Sequence, residues 1–217
     1  MSQQWPLFDI RVRTPRLELR LPSTEQLEEL AELSIDGVHG PELMPFVVPW
    51  TDTPPTERGR EVMKYHWRSL GSWTPAEWDL NFVVLHDGVV IGTQGISGRH
   101  FGVLREFTTG SWLGRRYHGN GYGTEMRAAV LHLGFAGLDA EYATSGAFAD
   151  NAPSLNVSRK LGYEQDGIQR LVRRGAAATE IRLRMSRAAW AANHKLDVEI
   201  QSLENSLPLF GSTQDSG

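Results

Sequence analysis

The sequence predicts an α/β (α+β) fold on a mixed central sheet of about seven strands flanked by helices. Three observations carry this expectation. Asp87-Gly88 sits between two β-branched runs, a strong hairpin signal. The apolar pattern changes from helical spacing to strand spacing after about Leu80. Later strand patterns alternate with helix patterns, which calls for a crossover and a partly parallel sheet.

Arg16 to Leu21 alternates with Leu17, Leu19 and Leu21 on one side, a half-buried strand stopped by Pro22. Ser23 opens a helix carrying Leu27, Leu30, Ala31 and Leu33. Gly37 to Pro55 is a Gly- and Pro-rich loop with the apolar string from Met44 to Trp50. Thr56 is the expected cap of a second helix to about Leu70. Strands follow over 81–86, 89–93 and 107–113, then a glycine-spaced loop from Gly114 to Gly123. A helix over 124–137 turns Met126, Ala129, Val130, Leu133 and Phe135 inward. Tyr142 to Phe148 is a strand, and Asp150 to Ser154 opens a short helix closed by Gly162. Two last strands lie near 163–172 and 180–185. Residues 1–192 form one domain. Residues 193–217 are an extension whose Val198, Ile200, Leu203, Leu209 and Phe210 are too apolar for a solvated tail, so they are expected to pack, across a dimer interface.

Lys plus Arg is 22 against 26 Asp plus Glu, a net charge of −4. That balance argues against nucleic-acid binding, which wants a clustered basic surface. There is no cysteine. Disulfides, thiolate metal sites and covalent cysteine intermediates are therefore excluded. The seven His show no ligand spacing, so no metal is expected. No apolar run approaches about 18 residues and no leader pattern opens the chain, so the expectation is a cytoplasmic protein without membrane contact.

The stretch from Ser111 to Glu125 carries the most chemistry. Arg116-x-x-Gly119-x-Gly121, then Gly123 and Thr124, lies between a strand and a helix. Glycines let successive N–H groups converge where the helix dipole is positive, a cradle for phosphate. Arg115 and Arg116 add positive charge. The loop is neither a Walker loop nor a Rossmann fingerprint. A glycine turn without a ligand is the other reading of the same residues.

This loop and this element order resemble the GNAT superfamily of acyl-CoA-dependent N-acyltransferases, whose [Gln/Arg]-x-x-Gly-x-[Gly/Ala] signature matches Arg116-Tyr-His-Gly-Asn-Gly121. Thr14 to Arg20, Gly110 to Leu113, and Asp150-Asn-Ala-Pro-Ser154 through Lys160-Leu-Gly-Tyr163 resemble the Rim-type branch, the ribosomal-protein Nα-acetyltransferases and their relatives. The resemblance spans roughly residues 12 to 190. It implies a sheet splayed between its fourth and fifth strands, with the pantetheine arm of acetyl-CoA along the backbone of Trp112, Leu113 and Gly114. It implies pyrophosphate on Arg115, Arg116, His118, Gly119, Asn120, Gly121, Tyr122, Gly123 and Thr124. It also implies Asn151 on the pantetheine, Ser154 near the thioester, and Lys160 or Arg159 at the 3′-phosphate. Helix capping is the alternative role for Asn151 and Ser154.

Without cysteine, direct attack of an amine in a ternary complex remains. A backbone N–H near Leu113 would meet the oxyanion, and Ser154 or Tyr163 would protonate the departing thiolate. Glu106 shares a strand face with Thr108, Gly110 and Trp112 and is the candidate base, acting through water. The Rim-type pattern often has an acid where this chain has Thr108, so Thr108 is assigned to the substrate side. Asp150 and His118 are weaker base candidates.

Trp50, Trp67, Trp73 and Trp78 cluster with Met44-Pro-Phe46, and aromatic residues wall ligand pockets as readily as cores. The resemblance favours Phe46 and Trp50 as acceptor-pocket residues, for a small-molecule amine or a protein N-terminus. Arg99, His100 and Arg105 could meet a carboxylate. The Trp5 to Phe8 start and the Pro208 to Gly211 ending resemble a mycobacterial-type subgroup that includes succinyl-CoA users, which makes succinyl transfer the alternative to acetyl transfer. A non-catalytic acyl-CoA-binding module is the reading from another class, and a protein assembled through its C-terminal extension a third.

Overall fold

A computed structural model describes residues 4–211 of the chain. The last six residues of the expected extension lie outside the described residues. Among the described residues, nine strands form one sheet: β1 (Arg11–Arg13), β2 (Leu17–Arg20), β3 (Glu77–His86), β4 (Val89–Arg99), β5 (Glu106–Leu113), β6 (Tyr142–Phe148), β7 (Glu164–Arg173), β8 (Ala176–Ser186) and β9 (Glu199–Gln201). Their order is β7-β8-β6-β5-β4-β3-β2-β1-β9. Neighbours are antiparallel except β5 and β6, the parallel pair the sequence pattern calls for. The two strands beyond the expected seven, β1 and β9, are three residues each, too short to show a period.

Six helices accompany the sheet among the described residues: α1 (Thr24–Asp36), α2 (Pro55–Gly71), the single turn α3 (Phe101–Leu104), α4 (Tyr122–His132), α5 (Ala152–Leu161) and α6 (Arg187–Asn193). Ser23 and Gln26 close a reciprocal capping box on α1. Thr56 does not cap α2. That helix begins with Pro55 at its first position, where a missing N–H costs nothing. α1 and α2 cover one face through β3 and β4, and α4 covers the other through β2, β4 and β5.

The C-terminal segment completes its own chain's core. β9 pairs with β1 at the sheet edge. Phe210 is fully buried between Trp73 and Trp78, with ring centroids 5.4 Å and 4.9 Å away. Trp73 Nε1 donates to Leu209 O at 2.8 Å. Val198, Ile200, Leu203 and Leu209 pack against the same core. These contacts pack the apolar residues of the extension against their own chain's core. They also place Trp73 and Trp78 in the hydrophobic core.

Candidate active site

The parallel pairing of β5 with β6 is brief. Glu106, Phe107 and Thr108 face Tyr142, Ala143 and Thr144, and the register then stops. Beyond it the two strands part, with only Ser145 Oγ reaching the Thr109 carbonyl at 3.4 Å. This is the splay expected between the fourth and fifth strands, which are β5 and β6 once the short β1 is numbered.

The open edge of β5 can be read residue by residue. Gly114 N–H donates to Ile91 O at 3.0 Å. In an antiparallel pair the backbone groups alternate sides. Trp112 and Gly110 therefore also turn their backbone toward β4, while Leu113, Ser111 and Thr109 turn theirs to the splay. Of the three residues expected to meet an arm by their backbone, Leu113 faces the cleft, and Trp112 and Gly114 are engaged within the sheet. Ser111 takes their place, a residue the sequence pattern passes over. The Leu113 carbonyl lies 3.1 Å from His118 Nε2, so His118 closes the end of this edge.

The glycine loop continues directly from that end. Its own bonds use the amides of Arg115, Tyr117 and His118 and, at the helix start, Thr124 and Glu125. The amides of Gly119, Asn120, Gly121, Tyr122 and Gly123 take no part in them. Gly119 and Gly121 hold φ of +79° and +82°, a region L-residues rarely enter. A Cβ added at Gly119 would meet nothing within 4 Å, so the concavity is open. Five unengaged N–H groups at the N-terminus of α4 fit a phosphate group. Arg115 is exposed beside them. Arg116 lies 2.8 Å from Asp36. Arg16 and Glu125 brace the cradle. Glu125, nearly buried in the first turn of α4, accepts from Arg16 Nε at 2.7 Å and from Thr14 Oγ1 at 2.6 Å. Arg16 also reaches the Asn120 carbonyl at 3.1 Å.

Across the splay, Asn151 is buried and caps α5, its side chain accepting from Ser154 N at 3.3 Å. Capping is thus a role Asn151 fills. The Ser154 hydroxyl has no hydrogen-bond partner among the described residues. Lys160 is exposed. Tyr163 is buried with its hydroxyl 3.2 Å from Thr109 Oγ1. Burial pushes that phenol up from its ordinary value.

On the opposite face, Phe46, Trp50 and Trp112 pack in series as tilted rings, with centroids 5.1 Å and 5.6 Å apart. Next to Trp112 on that face lie Gly110 and, opposite it on β4, Gly95. Gly110 leaves open space beside the aromatic wall, while the place above Gly95 is taken by the Asn81 side chain, whose Oδ1 would lie 2.6 Å from an added Cβ. Thr108 is on this face too, but its hydroxyl bonds Thr144 Oγ1 at 2.8 Å. Arginines of the β7–β8 hairpin strap it to the segment that carries Phe46 and Trp50. Arg173 on β7 reaches the Met44 carbonyl at 3.2 Å and both Asp150 oxygens at 2.8 Å. Arg174 at the hairpin tip meets Asp52 beside α2. Hydrogen bonds from Arg173 and Arg174 hold Asp150 and Asp52 below the usual carboxylate range.

A match to the model of the GNAT acetyltransferase domain covers residues 16–164, more than half of the chain. The chain belongs to the GNAT acetyltransferase family. Solved structures share its fold. RimJ from Mycobacterium smegmatis, determined with a CoA disulfide, is 18% identical with a TM-score of 0.68, covering 88% of this chain and 98% of that one. RimL, a ribosomal α-N-protein acetyltransferase determined with coenzyme A, is 15% identical with a TM-score of 0.63, covering 80% and 95%. A GNAT-family acetyltransferase from Bacillus anthracis is 16% identical with a TM-score of 0.62, covering 82% and 99%. This GNAT chain is accordingly an acyl-CoA N-acyltransferase with an amine acceptor. No helix among the described residues is long and apolar enough to cross a membrane.

A carboxylate already held in an ion pair is a poor candidate base. Glu106 sits in the zipped part of β5 and pairs with Arg184 at 2.8 Å. Asp79 is gripped by Arg99, and Asp150 by Arg173. Arg105 is paired with Asp139, so Arg99 and Arg105 are not free to receive a carboxylate. Glu180 differs. A Cβ built on Gly146 would lie 2.7 Å from its carboxyl carbon, so the carboxylate rests over Gly146. Gly146 would be next opposite Gly110 if the β5–β6 register continued past the splay. Glu180 accepts from Gln169 Nε2 at 2.6 Å and has no ion-pair partner among the described residues. Sequence alone could not find it: it is one acidic residue in a long hairpin, and only sheet register carries it to the splay.

Proposed function

We propose that the chain transfers an acyl group, acetyl first and succinyl as the alternative, from acyl-CoA to a primary amine by direct attack. The carrying observation is the free edge of β5 running straight into five unengaged amides. The cradle of Gly119, Asn120, Gly121, Tyr122 and Gly123, with Arg115, would hold the pyrophosphate, and the edge at Leu113 and Ser111 the pantetheine. Lys160 would meet the 3′-phosphate. The donor supplies an activated thioester carbonyl. In the transfer a C–N bond forms, the C–S bond breaks with its electron pair on sulfur, and one proton leaves the nitrogen.

This chain's residues then divide the work. Glu180 takes the proton from the amine, directly or through one water, in place of Glu106. The N–H groups of Leu113 and Ser111 are the donors for charge developing on the carbonyl oxygen. The Ser154 hydroxyl, with no hydrogen-bond partner among the described residues, passes a proton to the departing sulfur while taking one from a water molecule, so that it ends as a hydroxyl again. Phe46, Trp50 and Trp112 wall the acceptor over the open space at Gly110. The strap through Arg173 and Arg174 bounds the groove, so the acceptor is a small amine or the tip of an extended N-terminus. The RimJ and RimL structures favour the peptide end of that range.

The test is thiol release from acetyl-CoA and succinyl-CoA across a panel of small amines and N-terminal peptides. Glu180→Gln should lower kcat by about 10²-fold or more without weakening CoA binding. Glu106→Gln should leave kcat within a few-fold. The reverse ranking would return the base to Glu106. CoA binding without thiol release from any amine would favour the non-catalytic module.

A further inference from the structure

Arg127 on α4 is buried, 6% exposed, and no carboxylate lies within ion-pair distance of it among the described residues. Its Nη1 donates to Ser158 Oγ at 2.9 Å and its Nη2 reaches Ser111 Oγ at 3.3 Å. Its Nε has no partner among the described residues. A guanidinium stays charged in proteins, and a buried charge without a counter-ion is costly. The two hydroxyls are weak compensation. They do locate the charge, since Ser111 belongs to the open edge of β5 and Ser158 to α5 on the other side of the wedge. A thioester arm laid along the edge from Leu113 toward Thr109, about 13 Å at strand rise, passes Ser111.

We propose that Arg127, with Ser111 and Ser158, forms an anion subsite in the splay that receives the thiolate of departing coenzyme A. The proposal rests on the acyl-CoA reading above and adds a residue type that no loop motif announces. The reaction puts negative charge on sulfur in this wedge, and Arg127 holds the missing positive charge in place before it develops, so little reorganisation is needed. Ser158 relays the charge: its hydroxyl accepts from Arg127 and donates to Ser154 O at 3.1 Å, which fixes both groups. The subsite works beside Ser154, whose proton completes the thiol.

The surroundings leave Arg127 as the dominant charge there. β5 contributes Ser111 and Thr109, α5 contributes Ser158, and the segment after α5 contributes Tyr163. Of these only Tyr163 titrates, and burial pushes it up, so it stays neutral. β1, β2 and β4 bring Val12, Leu19 and Ile91 to the same core. On α4 itself, Glu125 is engaged by Arg16 and Thr14, and His132 lies against Trp190 and His194.

The test needs no acceptor amine. The thiol pKa of bound CoA is measured by its ultraviolet thiolate absorbance, and the affinities of CoA and desulfo-CoA are compared across pH by calorimetry. The native chain should lower the bound thiol pKa by at least about one unit from that of free CoA in the same buffer, a tenfold preference for thiolate. Arg127→Met should abolish the shift, and Arg127→Lys should retain part of it. Urea melts of Arg127→Met should show unchanged or raised stability, since an unpaired buried charge is removed. Equal thiol pKa values in the native chain and Arg127→Met would overturn the proposal. So would a selective loss of succinyl-CoA over acetyl-CoA binding with the thiol unshifted, which would make the subsite a pocket for an acyl carboxylate. Failure of the native chain to bind either CoA or desulfo-CoA would overturn the acyl-donor reading itself.

Discussion

Gly121→Ala tests the phosphate cradle, and the structure sets two separate magnitudes for it. The first concerns the fold. Gly121 is the N-cap of α4 with φ +82° and ψ −4°. An added Cβ meets only Arg16 Nη2 at 3.4 Å, the end of a flexible side chain. The cost is therefore backbone strain alone, about 1–2 kcal/mol for an L-residue held there. Against a typical total of 5–15 kcal/mol the fold survives. The second magnitude concerns the ligand. Relaxing Gly121 toward negative φ re-aims the amides of Asn120 through Gly123. A hydrogen bond from a neutral amide to a charged oxygen contributes about 1.5–3 kcal/mol, so losing one weakens CoA binding roughly 12- to 160-fold. Gly121→Val should do more, because a β-branched residue fits positive φ worse. Calorimetric titration with CoA and a urea melt on the same preparation separate the two effects. If Gly121→Ala loses the expected stability yet binds CoA within twofold of the native chain, these amides do not hold the pyrophosphate and the cradle argument fails.

Two further expectations follow from packing and burial. Phe210→Ala removes a fully buried ring between Trp73 and Trp78 and should cost about 3–5 kcal/mol in denaturant melts; a loss under about 1 kcal/mol would mean that the C-terminal segment does not close the core. His66 is buried in α2, and burial lowers its pKa from 6.5 to about 4. Its folded value lies below its unfolded value, so the unfolded chain binds more protons between those pH values. Stability should therefore fall as pH drops from about 6.5 toward 4, by up to about 3 kcal/mol. His66→Gln should flatten that part of the stability–pH curve.

Much of the site was visible in residue order because its chemistry is local. A phosphate cradle needs positive φ at Gly119 and Gly121 and a helix start at Tyr122, all within one loop. The acceptor wall was half visible. Phe46 and Trp50 lie in one segment, but Trp112 comes to them from β5, and Trp73 and Trp78 belong to the core that Phe210 completes. Composition could not separate these tryptophans, since both roles use the same apolar surface.

The proposed base was the least legible. Glu106 satisfied the alternation rule for its strand, but alternation says nothing about partners, and Arg184 of β8 neutralises it. Glu180 and Arg127 gain their positions from strand register and helix packing between residues far apart in the chain. Backbone propensity, glycine conformation and apolar period act over a few residues, so the sequence by itself determined most of the elements, the crossover and the glycine loop at the start of α4. Which buried charge is paired and which is free depends on non-local contacts, and only the tertiary structure decided that Glu106 is engaged, Glu180 is available and Arg127 stands without a counter-ion.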